Sequence, residues 1–462
     1  MATYVFGTIG AAQALAFNSS DTLNVEAGTA TQTTVIFNPD GTYGVTIGST
    51  TNTFGAGFSQ GAGPTRANFP DGTKLWVGSS GSDNIRLTVT ATTGAGAGYG
   101  GAGNDSIQSV GGGYWLVQGN QGDDRIVLDG GSQTVYGGQD NDYIFVGGVT
   151  TIGSRNFMQG NRGEDTLIGS GNPDTILGGQ GNDQLTGSGG LDTLNGNLGD
   201  DVITGAGLIA GEGGNDVITV DSGIVNALVN TPITSTVLGG DGDDRITITP
   251  NEGPQTSPGA NVNGGEGNDY LLGGNGSDTL MGGGGADTIV SAGANVGNDV
   301  LDGGAGADVI SARIGSNILQ GGADNDRITG GNGADTIDGG TGLDTMTGDA
   351  GPGFGVDVFV LDDPYFALEA GGFDRITDWS VADRFRLSFV VGPSYAETTA
   401  GDFTAAVLAA QNTFAAGATE VLAVQVGGDV VLFVDGGARN TIETGVILVG
   451  RSLADISETN FI

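Results

Sequence analysis

Between Gly160 and Thr204 the chain repeats one pattern of apolar and polar positions every nine residues: GNRGEDTLI GSGNPDTIL GGQGNDQLT GSGGLDTLN GNLGDDVIT. In each unit Gly stands first, Asp sixth and a large aliphatic residue eighth. One such residue in nine cannot make a core alone, so the pattern predicts a solenoid in which each unit is buried by its neighbours. Positions one to six predict a tight turn, and positions seven to nine a very short strand whose middle side chain points inward. Two units then make one coil, with a turn on each edge and a strand on each face.

The same template fits nineteen units, all with Asp at position six: Asp83, Asp105, Asp124, Asp142, Asp165, Asp174, Asp183, Asp192, Asp201, Asp216, Asp244, Asp269, Asp278, Asp287, Asp299, Asp308, Asp326, Asp335 and Asp344. Position eight is Ile, Leu or Met throughout, from Ile85 to Met346. Position four is Gly except at Asp140, Asn172 and Asp324, residue types that tolerate a positive φ, so the same turn is expected there. Stacked turns bring carboxylates and backbone carbonyls together in an all-oxygen environment of the kind Ca2+ prefers. The nineteen Asp residues are therefore the candidate metal ligands.

In these features the chain resembles the calcium-binding nonapeptide-repeat family, the RTX (repeats-in-toxin) proteins, whose consensus is GGxGxDxUx. The resemblance covers residues 78–347 directly. It implies an all-β fold, a right-handed parallel β-roll or β-solenoid, in which the Asp at position six ligates a calcium held between turns one coil apart. Multiple Ca2+ ions are the expected cofactors.

Charge sharpens that expectation. A formal charge of -39 and 93 glycines would ordinarily favour disorder, through self-repulsion and backbone entropy. Filling about a dozen or more units would bring on the order of 24 to 32 positive charges. An unfolded apo chain and a folded calcium-loaded one are the consequence. With neither Cys nor His, the chain has no disulfide framework, no Ser-His-Asp triad and no zinc-protease motif. Fourteen Lys plus Arg residues argue against nucleic acid as a partner. No apolar run is long enough for a transmembrane segment, and the first basic residue is Arg66, so no charged n-region of a secretory signal is seen.

Residues 1–77 read as a β-rich N-terminal cap or anchoring module. Thr8 is expected to cap a short helix through Ala11–Leu15, and a hairpin is expected around Asn38-Pro39-Asp40-Gly41. The roll is irregular over 78–159, where unit spacings near 18 residues suggest coils with one edge off the template. It is regular over 160–219, interrupted by insertions over 220–263 (apolar at Ile224, Val225, Leu228, Val229 and Ile233), and regular again over 264–347.

Residues 348–462 change character, with Phe354, Phe359, Tyr365, Phe366, Phe373, Trp379, Phe385 and Phe389 concentrated where a solenoid must be closed. The segments VDVFVLDD, FDRITDW and ADRFRL resemble the end module of many RTX proteins, with Asp357, Phe359, Asp374, Arg375, Ile376, Asp378, Trp379 and Asp383 at the matching positions. A helix is expected from Asp402 to a stop at Gly417, then strands Val421–Val426 and Val430–Val434. The ending ETNFI resembles a type I secretion signal, so a C-terminal α+β cap and secretion module is expected, with the type I secretion machinery as a partner.

No catalytic domain is expected, and a single Lys (Lys74) with no amphipathic membrane stretch argues against a pore-forming toxin. The expectation is a secreted, extracellular structural protein that folds on calcium and self-assembles at the cell surface as an S-layer, sheath or biofilm matrix. The alternative is an adhesin for a cell-surface polysaccharide or other partner, presenting Phe54, Phe58, Phe69 and Trp76 as its aromatic platform.

Overall fold

A computed structural model describes residues 2–18, 21–38, 40–59, 67–88, 94–111, 113–147, 154–221, 234–249, 259–291, 297–349, 355–361, 372–387, 394–417, 419–435 and 442–462. Pro39, most of the two insertions, and Phe354, Tyr365, Phe366 and Phe389 lie outside the described residues. The chain divides into two compact units, Met1–Thr231 and Pro232–Ile462.

The first unit is a parallel β-solenoid preceded by a small α/β module. Inward position-eight residues run in register from coil to coil on one face: Ile107, Ile126, Ile144, Leu167, Leu185, Ile203 and Ile218. They are fully buried or nearly so. Facing them, Val117, Val135, Met158, Ile176, Leu194 and Ile209 make the second ladder. Val117, Val135 and Met158 come from stretches that do not match the nonapeptide template, so 78–159 supplies full coils with one degenerate edge. Parallel strands stacked without crossover helices leave only these two aliphatic ladders as the core of the regular coils.

In the N-terminal module, strands Thr33–Phe37 and Tyr43–Ile47 pair antiparallel, with Phe37 opposite Tyr43 across the expected hairpin turn. A third strand, Thr50–Phe54, adds to them; its sequence TTNTF lacks the apolar alternation that would have announced it. Helix Ala11–Leu15 is capped by Gly10 and not by Thr8. Phe6, Phe17, Phe54 and Phe58 form one aromatic cluster whose core runs on into the first coils through Leu75, Val77, Ala97 and Tyr99. The Tyr43 hydroxyl donates to Gly78 O at 3.2 Å, and the Tyr99 hydroxyl to Thr33 O. Phe54, Phe58, Phe69 and Trp76 are all buried, so they present no aromatic platform to a ligand.

The second unit repeats the solenoid and continues it past residue 347. Strand Val358–Leu361 pairs with Thr336–Thr341, Arg384–Leu387 pairs with Val358–Leu361, and Asp374–Ile376 pairs with Thr345–Asp349, all parallel. Phe359, Trp379 and Phe385 fill the coil where Ile and Leu stood before, with Trp379 stacked on Phe385 at 4.3 Å. Asp374–Ile376 then pairs with Thr444–Leu448 of a sheet completed by Asp429–Val434, Val421–Val426 and Tyr395–Ala400. Helix Phe403–Ala415 lies on that sheet through Ala406, Ala410 and Phe414, with Asp402 Oδ1 accepting the Ala405 N–H at 2.8 Å and Gly417 at positive φ beyond its end. Phe461 stacks on Phe385 at 5.7 Å, and the Ile462 N–H donates to Phe385 O at 2.9 Å.

Candidate metal centre

Alternate repeat units fall on opposite edges of the solenoid, and on each edge the position-six carboxylates form a hydrogen-bonded column. On one edge of the first unit the Asp83 N–H donates to Oδ1 of Asp105. The relation repeats through Asp124, Asp142, Asp165, Asp183, Asp201 and Asp216, each bond 2.7–2.8 Å long. One oxygen of each carboxylate is thus a structural strut. The other is not: Oδ2 of Asp105, Asp124, Asp142, Asp165, Asp183 and Asp201 is buried and accepts no hydrogen bond.

The second edge of this unit is different in chemistry. Its column runs Gln133, Asn156, Asp174, Asp192, with amide oxygens standing where carboxylates would be expected. The Ser170 N–H and hydroxyl both donate to Asp174 Oδ2, which leaves Asp192 with an unpartnered oxygen on that edge.

In the second unit one column comprises Asp244, Asp269, Asp287, Asp308, Asp326, Asp344 and Asp374 at 2.7–2.9 Å. Oδ2 of Asp269, Asp287, Asp308 and Asp326 is again unpartnered. The other column is Asp278, Asp299, Asn317, Asp335, Asp357 and Asp383. There the Gly274 N–H donates to Asp278 Oδ2, the Ser291 hydroxyl to Asp299 Oδ2 and the Ser380 N–H to Asp383 Oδ2, whereas Asp335 Oδ2 has no donor.

All nineteen predicted Asp residues therefore stand in these columns, but not equivalently. Asp83 accepts both the Ser79 N–H and its hydroxyl at Oδ2, which sets it apart from Asp105, Asp124 and Asp142. Gln133, Asn156, Asn317, Asp357, Asp374 and Asp383 also stand in the columns, outside the nineteen units of the Asp template. Units such as ARIGSNILQ, with Asn at position six, and PGFGVDVFV, with Phe at position eight, show the template once an amide or an aromatic is allowed.

An outer column at position five also falls outside that template. It runs opposite in sense: Asn104 Oδ1 accepts the Asp123 N–H, Asp123 Oδ1 the Asn141 N–H, and Asn141 Oδ1 the Glu164 N–H.

Glycine at position one has a steric cause. A Cβ on Gly178 would lie 2.3 Å from Asp183 Oδ2 and 2.7 Å from Gly196 O, and one on Gly119 would lie 2.0 Å from Asp124 Oδ2 and 2.6 Å from Gly137 O. The position-one Cα thus lines a small cradle shared by a carboxylate oxygen and a carbonyl one coil on. At position four, Asp140 and Asp324 adopt the expected positive φ (73° and 76°), but Asn172 does not. Pro173 follows it, and the residue before proline is pushed toward extended backbone.

Electrostatics point the same way. Burial drives the carboxyls up: Asp105 to about 7, Asp124 to about 8, Asp142 to about 9, Asp183 to about 7 and Asp192 to about 8. The N–H bonds to Oδ1 offset only part of that burial cost. Among the described residues no three acidic side chains converge on one point. A cation here would be held by Oδ2 of one Asp together with backbone carbonyls, a hard donor set that suits Ca2+. The residues present fit that ion, which would supply the positive charge these carboxylates need in order to be ionised while buried.

The family model for the RTX calcium-binding nonapeptide repeat (4 copies) matches residues 117–148, 153–185, 177–208, 261–291, 294–319, 311–346 and 320–353. The repeats of this chain are RTX nonapeptide repeats, and such repeats bind Ca2+. No curated protein matches the chain. Among solved structures, the extracellular lipase LipA from Serratia marcescens aligns at 18% identity over 65% of this chain, with a TM-score of 0.13. The alignment spans 40% of the lipase's length, and at that score it carries no argument about this chain.

Proposed function

We propose that the chain is a calcium-dependent structural protein of the cell exterior, exported by type I secretion, that folds on Ca2+ and self-assembles as an S-layer, sheath or matrix. The observation that carries this reading is the unbroken run of unpartnered Oδ2 atoms from Asp105 to Asp201 along one edge. Without a cation, close-spaced buried carboxylates oppose folding; with one, they close the coils. Calcium is scarce in the cytosol and abundant outside, so the folding switch is matched to export. RTX repeat proteins are typically secreted, and among the described residues no helix is long and apolar enough to cross a membrane.

Contacts between copies have candidate surfaces on the sheet faces. Val202 pairs with Val217 on the outside of one sheet of the first unit, and both are exposed, as are Met281 and Ile318 in the second. The Val202–Val217 pair is the apolar contact point offered on that face. No catalytic role is proposed, because the buried carboxylates are committed to the columns. The reading is tested by adding millimolar calcium to chelated protein and following light scattering and negative-stain electron microscopy. Sheets, filaments or tubes are expected; a folded protein that stays monomeric would discard the assembly.

A further inference from the structure

One face of the first unit departs from the chemistry of the rest of the molecule. In a chain with 53 Asp plus Glu, the consecutive strands Tyr114–Gln121, Thr134–Gln139, Phe157–Arg162 and Thr175–Gln180 contain no carboxylate at all. The corresponding strands of the second unit carry Asp241, Glu266, Asp302 and Asp338. Thr279–Gly284 and Ile318–Ala323 carry none either, but only in the first unit do four neighbouring strands in succession lack a carboxylate, before Asp192 and Glu212 end the run.

What stands there instead is amide and aromatic. Gln118, Tyr136, Gln159, Leu177 and Asn195 are lateral neighbours in successive strands, forming one outward column. Beside it runs Asn120, Gly138, Asn161, Gly179 and Asn197, the three Asn residues all at positive φ (87°, 83° and 76°). Tyr136 packs against Phe157 with ring centroids 5.6 Å apart. Among the described residues no protein hydrogen bond engages the side-chain amides of Gln118 and Gln159; Asn195 Oδ1 accepts none, while its Nδ2 donates to Glu212 Oε1 at 3.3 Å. Strand Thr33–Phe37 of the N-terminal module walls this face on one side, enclosing a groove of about 480 Å³ that reaches from Gln118 to Arg162.

We propose that this groove binds a neutral polysaccharide. In the groove the carboxamides of Gln118 and Asn161 offer donors and an acceptor, and Asn120, whose Nδ2 already donates to Gln118 O, keeps its acceptor, a complement to a sugar's vicinal hydroxyls, while Tyr136 adds an amphipathic ring for an apolar sugar face. Rigid aromatics beside adaptable amides make a polar recognition surface at low entropic cost. The strands repeat about every 4.8 Å, close to the advance of one sugar ring, so an extended glycan lying across the coils meets one set of side chains per residue. Arg162 is the one charged side chain among the groove-lining residues and the others are neutral, so the lining offers an acidic polysaccharide a single ion pair and a neutral glycan several hydrogen-bonding groups. The groove would give a surface-assembled protein its attachment, but it stands on observations separate from those for assembly.

The test uses the full chain in millimolar calcium, by affinity electrophoresis through gels containing dextran, laminarin or galactomannan, with dextran sulfate as the acidic probe and an array of neutral oligosaccharides alongside. Binding to at least one neutral glycan is expected, weakened about tenfold by Tyr136→Ala and by Gln118→Ala, both of which line the groove, with circular dichroism unchanged. Tyr143→Ala, on the opposite sheet, should leave it intact. No binding to any neutral glycan, binding to dextran sulfate alone, or equal binding by the groove variants overturns the site. A monomer that is retarded keeps the groove and loses the assembly; a lattice that is not retarded does the reverse.

Discussion

Asp165 donates its backbone N–H to Oδ1 of Asp183, one coil further on, at 2.8 Å, while Oδ2 of Asp183 is buried and meets no donor. The two oxygens of one carboxylate thus have separate tasks, one holding the coil spacing and the other available to a cation. Asp183→Ala removes both. Stranding the Asp165 N–H should cost about 1–3 kcal/mol, in addition to the lost ligand. The calcium concentration at the folding midpoint should rise several-fold by circular dichroism. Asp83→Ala, at the end of its column and already paired with Ser79, should shift it much less. Equal shifts would contradict the distinction between the two positions.

Gly178→Ala tests the cradle without removing a carboxylate. Its methyl would fall 2.3 Å from Asp183 Oδ2 and 2.7 Å from Gly196 O, so the coil must open. Overpacking of this kind costs about 1–3 kcal/mol, and weaker calcium binding should accompany it in calorimetry. Gly213→Ala is the control, since its nearest neighbour would be Leu198 Cδ2 at 3.6 Å.

Acid should substitute in part for calcium. Asp165, Asp183, Asp124 and Asp142 are raised in the fold to about 6, 7, 8 and 9, chiefly by burial. Carboxylates of the unfolded chain titrate near about 3.9. Because the folded values are the higher ones, the proton-linked stability is fully present below about pH 4 and is lost as pH rises through roughly 6 to 9. Chelated protein should therefore show more strand signal at pH 5 than at pH 8. Calcium binding at pH 6 should release protons, measurable as a buffer-dependent heat. Chelated protein that is better folded at pH 8 would reverse the sign and reject the burial argument.

The last residues should stabilise the last coil. Phe461 stacks on Phe385, and Asn460 Nδ2 donates to Asp383 O at 2.8 Å. Phe461→Ala should destabilise this region by about 3 kcal/mol. Amide exchange should accelerate in Arg384–Leu387, with little change in Thr166–Ile168. Unaltered protection of Arg384–Leu387 would show that the aromatic contact does not secure it.

Much of the fold was legible because one physical constraint, a single apolar residue every nine, leaves few ways to bury it. Ile126, Ile144 and Leu167 fall on one ladder as their spacing requires. Less legible was the chemistry of the edges. Gln133, Asn156 and Asn317 hold the same strut with an amide oxygen, and a pattern written for Asp passes over them. Nor does spacing reveal that Ser170 and Ser79 occupy the outer oxygens of Asp174 and Asp83, since that depends on what stands at position two. Strands Thr50–Phe54 and Tyr395–Ala400 were missed because their partners, and not their own alternation, define them. The amide face was invisible as a surface, because Gln118, Tyr136 and Gln159 are 18 and 23 residues apart in sequence and adjacent only once the coils stack.

The most direct measurement is a calcium titration of the full chain from chelated buffer at neutral pH, with circular dichroism and calorimetry on the same samples. If the unpartnered Asp oxygens hold calcium between coils, strand signal should rise cooperatively as several ions bind per chain, and a chelator should reverse both. Strand signal at full strength in chelator at pH 8, unchanged by calcium, would contradict it.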